Sequence, residues 1–138
     1  MKTNITYRSY NTDKTLEELQ YNINTCKIRL ENTKAEIVFY EFILSAPMYK
    51  NSVINLFETL QQFKTKLQEL ERQGLQLIED INAHVNQIAK KNECEDVMCD
   101  NYFLQHHDNL ERKAHNFFTE LSTLKSAMFD YLKSVIKV

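Results

Sequence analysis

Three apolar stripes, each stepping by three and four residues without a break, constrain this 138-residue chain more than any other feature. The first runs Leu16, Leu19, Ile23, Cys26, Leu30, Thr33, Ile37, Tyr40, Leu44. The second runs Val53, Leu56, Leu60, Phe63, Leu67, Leu70, Gly74, Leu77, Ile81, His84, Ile88. The third runs Phe103, His106, Leu110, Ala114, Phe117, Leu121, Leu124, Met128, Tyr131, Val135. Such spacing puts one face of a helix toward a long seam, whereas a strand would alternate with period two. The stripes predict helices over about 13–46, 48–92 and 98–137, with an N-terminal arm over 1–12 that is expected to be flexible. The chain has one glycine, Gly74, and one proline, Pro47. So few residues suited to tight turns leave room for few connections.

Short connectors make consecutive helices antiparallel neighbours. The fold expectation is an all-α, elongated, antiparallel three-helix bundle with heptad packing, forming a single domain over 13–138 and open to completion by self-association. Thr15-Leu16-Glu17-Glu18 reads as a capping box that starts the first helix. Pro47 disfavours helical geometry at Ala46 and suits an early position of the following helix, so the first connector is expected to be short. Lys90-Lys91-Asn92 reads as the end of the second helix, and Glu93 to Asp100 as the second connector. Gly74 on its seam points to a close helix contact or a bend. Residues 37–44 alone would also suit a buried strand, but the heptad on both sides favours a helix.

Charge narrows the functional classes. Net charge is −2, with 17 basic and 19 acidic residues interspersed. No basic stripe marks a nucleic-acid binder. No run of apolar residues is long enough for membrane insertion. The first residues lack a signal-peptide core, and an odd cysteine count suits a reducing compartment, so the expected location is cytoplasmic.

Folding the chain at Pro47 and near Asp96 gives two unlike ends. One collects Phe39, Tyr40, Phe42, Phe57, Phe63, Phe117, Phe118, Phe129 and Tyr131. The other brings Cys26, His84, His106 and His107 to similar heights. The aromatic end carries more apolar surface than three helices require. Residues 37–44 are apolar nearly all round, which is the pattern of a helix covered on every side. The expected interaction surface comprises Ile37, Val38, Phe39, Phe42, Ile43, Phe118, Phe129, Leu132 and Ile136. The partner is the chain itself or another helical protein.

At the polar end, His107, Glu111 and His115 follow one another at four-residue steps and drift along one face of a helix. His84 lies as far before residue 96 as Asp108 lies after it. A His/Glu set of His84, His107, Glu111 and His115 would suit zinc or iron. The competing reading makes His84 a hydrogen-bonded seam residue and leaves His107 and Glu111 on a solvated face just off the seam. Cys94 and Cys99 are spaced too widely for a zinc knuckle, and the acidic residues around them lack calcium-loop spacing. A regulatory disulfide between the two, or a plain solvated turn, remains.

No nucleophile elbow, phosphate loop or dinucleotide fingerprint occurs. The sequence therefore favours a non-enzymatic interaction or scaffold protein working by helix-in-groove burial. A metal-binding bundle, and a small inhibitor or adaptor acting through the polar end, are the alternatives.

Overall fold

The computed structural model describes residues 5–91 and 97–138, with side chains described outside 88–101. It is an all-α arrangement of three helices: α1 (Leu16–Ser45), α2 (Leu56–Lys91) and α3 (Val97–Val135). Each spans roughly 45–60 Å at 1.5 Å per residue.

α1 begins where the sequence signals it. The Glu18 amide donates to Thr15 Oγ1 at 3.1 Å, and the Thr15 amide donates to Glu18 Oε1 at 3.3 Å. Two donors that the helix cannot satisfy internally are thereby paired. At the other end Ala46 is extended, with ψ 146°, as the following Pro47 requires.

The first connector differs from expectation. α2 starts at Leu56 rather than near 48, so the connection covers 46–55. The reason is non-local. The Lys50 amide donates to Val135 O at 2.8 Å, and the Lys137 amide donates to Met48 O at 2.9 Å. Tyr49 and Ile136 thus form an isolated antiparallel bridge, and Tyr49 Oη donates to Ile43 O at 2.6 Å. Backbone groups spent on the C-terminus are not available for a helical turn. Asn55 turns the chain into α2 with φ 58°, a left-handed conformation that asparagine tolerates better than most residues. Its carbonyl accepts from the Thr59 amide at 3.1 Å.

Consecutive helices run antiparallel, and α1 therefore runs parallel to α3. Phe63 packs near Tyr131, and His84 near His107, down the α2–α3 seam. Arg29 meets Phe118, Glu36 meets Lys125 and Tyr40 meets Phe129 up the α1–α3 seam. The core contains the expected stripes, including Ile23, Leu30, Ile37, Leu67, Ile81, Leu110 and Met128. Leu19 and Phe103 form a smaller cluster toward the other end.

Gly74 marks a close contact. A Cβ at that position would lie 3.2 Å from Cζ of Phe117. The helix carries its one glycine where the Phe117 ring comes closest. Phe117 and Phe118 accordingly sit at mid-bundle, level with Gly74 and Arg29, and not at the aromatic end.

Among the described residues no helix is long and apolar enough to cross a membrane. Glu93, Cys94, Glu95 and Asp96 lie outside the described residues, as do the side chains of Ile88, Lys90, Lys91, Cys99 and Asp100. Val97 to Asp100, expected in the connector, form the first turn of α3.

Candidate functional site

Two features stand out from the packed seams. One is a buried polar network on α2, α3 and the N-terminal arm. The other is an uncovered apolar face on α1 with Phe129 beside it.

The network is built around His84 and His107, both fully buried. His84 Nε2 and His107 Nδ1 are 3.0 Å apart. His107 Nε2 lies 2.7 Å from Glu111 Oε1, an ion-pair distance, although its N–H does not point along that line. The carboxylate beside Nε2 favours the tautomer of His107 that carries its proton there. Nδ1 then accepts, and His84 donates from its own Nε2. That leaves His84 Nδ1 bare, buried and without a partner.

The arm completes the network. Asn11, 2% exposed, donates from Nδ2 to Glu111 Oε1 at 2.7 Å and to Asp108 Oδ1 at 2.6 Å. Ser9 Oγ donates to the same Asp108 oxygen at 2.7 Å. Further along, His115 Nε2 meets Ile5 O at 2.6 Å, and the Tyr7 ring packs against the His115 ring. Residues 5–11 are thus laid along α3 by hydrogen bonds at Asp108, Glu111 and His115, spaced about one turn apart.

The electrostatics follow from burial and neighbours. Burial, reinforced by His107 and His106, lowers the His84 pKa to about 4, so its imidazole is neutral at pH 7. Burial pushes Glu111 upward, but contacts from His107 and Asn11 outweigh it and hold the carboxyl below its ordinary value. Cys26 is pushed up to about 11, first by burial and then by Glu111, which keeps it a thiol.

The expected metal set is not assembled. His84, His107 and Glu111 come together, but the two imidazoles are turned toward each other, and His115 is occupied by the arm. Among the described residues no group of three or more His, Cys, Asp or Glu side chains could hold a metal ion. His107, read as lying off the seam, is fully buried, while His106 is only half-buried. Ring contacts explain the exchange. Phe103 stacks on His84 at 4.7 Å, the buried His107 ring packs against His84 at 5.2 Å, and the half-buried His106 meets His84 edge-on at 5.0 Å. Asn11 and Ser9 had no signal in the sequence, being 97–100 residues from their partners.

The clefts lie elsewhere. One of about 650 Å³ opens beside the first connector, between Pro47 and Phe57. Grooves of about 310 and 530 Å³ run between α2 and α3 around Gln73 and Glu120. None of these three reaches the histidine pair.

The apolar face is partly as expected. Val38, Phe39, Phe42 and Phe129 are 51%, 56%, 67% and 42% exposed. Ile43, Phe118 and Ile136 are half-buried. Ile37 and Leu132 are corrected: they belong to the core, at 1% and 6% exposure, because they face the seams of their helices. The sequence reading missed the N-terminal half of the face, where Tyr21 and Ile28 are 72% and 58% exposed. Their spacing with Phe42 carried that signal.

No protein-family profile, no curated protein and no solved structure matches this chain.

Proposed function

We propose that this protein is a non-enzymatic interaction module, which docks a helical partner or a second copy through the apolar face of α1 and the adjoining part of α3. One observation carries the reading. Val38, Phe39 and Phe42 of α1 and Phe129 of α3 stay half or more open to water, or nearly so, while the opposite side of α1 is buried. Exposed rings grouped on one face are the pattern of a protein–protein contact, because water around them is released on binding. The buried histidine network is read as an internal polar layer that fixes the arm and the α2–α3 register.

Single substitutions Phe39→Lys, Phe42→Lys and Phe129→Lys test the reading. Urea unfolding is followed at a concentration where sedimentation shows monomer. Stability should stay within about 0.5 kcal/mol of wild type, as for surface positions. A loss of about 3 kcal/mol or more, the size found for buried rings, would make these residues core and overturn the proposal.

A further inference from the structure

α1 carries a second seam, on the side turned away from the bundle. Tyr21, Ile28, Ala35 and Phe42 recur every seven residues, with Thr25, Asn32 and Phe39 between them at steps of four and three. All seven are exposed. The buried stripe of the same helix, Ile23, Leu30, Ile37 and Leu44, lies about 160–200° away around the axis at 100° per residue. α1 is therefore built with two heptad faces, and the bundle covers one. We infer that the outer seam pairs with the same seam of a second copy, antiparallel, about a two-fold axis passing between residues 33 and 34. This rests on the docking role proposed above and names the partner and its orientation.

Charge selects the orientation. With Tyr21 and Ile28 as d positions, Arg29 and Glu36 occupy successive e positions and Glu31 a g position. A parallel, in-register pair sets Glu31 against Glu36 of the other copy. The antiparallel register with Ile28 opposite Asn32 sets Arg29 against Arg29 and Glu31 against Glu31. Only the antiparallel register that places Ile28 opposite Phe39, and Asn32 opposite Ala35, brings Arg29 to Glu36 on both sides of the axis. Like charges facing each other exclude wrong pairings more strongly than good pairs add affinity. Both groups are already held on the α3 side of the seam. Arg29 lies 3.8 Å over the Phe118 ring, which fixes the guanidinium without consuming its N–H donors. Glu36 accepts from Lys125 at 2.7 Å and from Tyr40, both at Oε1.

Size is in keeping with a dimer. Tyr21, Phe39 and Phe42 are 72%, 56% and 67% exposed, and an aromatic side chain presents about 150–250 Å². These three rings alone expose roughly 300–500 Å² per copy, against about 800 Å² per partner in a standard interface. Ile28, Val38 and the flanking positions supply further area over a seam about 32 Å long. At the centre the small Ala35 opposes Asn32 twice, and a polar residue at such a layer fixes register at some expense in affinity.

Sedimentation equilibrium across micromolar concentrations should show a species of twice the 16.4 kDa chain mass. Arg29→Glu should weaken association by about ten-fold or more, since both symmetric pairs turn repulsive. Adding Glu36→Arg should restore it. Orientation is read independently of those variants. A photoreactive benzoylphenylalanine replacing Ile28, in a mixture of isotopically light and heavy chains, should crosslink to the peptide of the other copy that holds Phe39. Crosslinks to the peptide around residue 28 would overturn the proposed register, in favour of a parallel pair or of the antiparallel one with Ile28 opposite Asn32. A chain that stays monomeric would overturn self-pairing altogether. Whether these rings form a surface at all is judged separately by the ring substitutions on monomer.

Discussion

Lowering the pH should destabilise this protein through His84, by an amount that follows from its burial. In the fold His84 is fully enclosed, stacked on Phe103 and beside His107, and its pKa falls from an ordinary 6.5 to about 4. In the unfolded chain it is free to take up a proton near 6.5. Because the folded value is the lower one, the unfolded state binds protons first as pH falls. The stability contributed by neutral His84 is therefore complete above pH 6.5, declines between 6.5 and about 4, and is fully lost below that. The displacement corresponds to about 3 kcal/mol at 1.36 kcal/mol per pH unit. Glu111, held below its ordinary value, adds acid sensitivity only below about pH 4.5. Urea unfolding followed by far-ultraviolet circular dichroism at pH 7.5, 6.5, 5.5 and 4.5, at one protein concentration, measures the decline. His84→Gln keeps a donor for His107 and removes the titration. It should flatten the profile between pH 6.5 and 4.5 by roughly 2–3 kcal/mol relative to wild type. A wild-type profile that is level over this range, or a variant with the wild-type slope, would refute the assignment of a buried neutral His84.

Three further outcomes are expected from urea or thermal unfolding at neutral pH. Thr15→Ala should lose about 1 kcal/mol, since it removes the hydroxyl that accepts from the Glu18 amide and donates to the Glu18 carboxylate. Gly74→Val should lose roughly 2–3 kcal/mol, because even a Cβ meets Phe117 at 3.2 Å and a branched side chain must displace the ring. Ile37→Ala should lose about 2–5 kcal/mol and Val38→Ala less than about 0.5 kcal/mol, which separates two adjacent residues of α1, one in the core and one open to water.

Local signals carried most of the helical architecture. The start of α1 was legible because a capping box is complete within four residues. Its end was legible because Pro47 acts on its immediate neighbour. The start of α2 was not, since residues 48–50 are drawn to 135–137 by backbone hydrogen bonds that no local pattern announces. The candidate polar site divides the same way. His84 and Glu111 could be brought together by counting from the turn. The choice between His106 and His107 could not, because the two are 100° apart and the packing of Phe103 decides which one enters.

The three helices themselves were determined by the sequence alone, since a period of three and four is a property of one chain segment and survives in any surroundings. The same holds for the second seam of α1, whose spacing is written in Tyr21, Ile28, Ala35 and Phe42. The Ile23 side of α1 was legible as the buried stripe, because it is the more apolar of the two. That the Tyr21 side stays open was decided only by tertiary structure, since α2 and α3 both pack against the other side of α1. The arm belongs to that second category as well. Asn11 is an ordinary polar residue in sequence, and it becomes a buried bridge only because the fold leaves Asp108 and Glu111 facing it at hydrogen-bond distance.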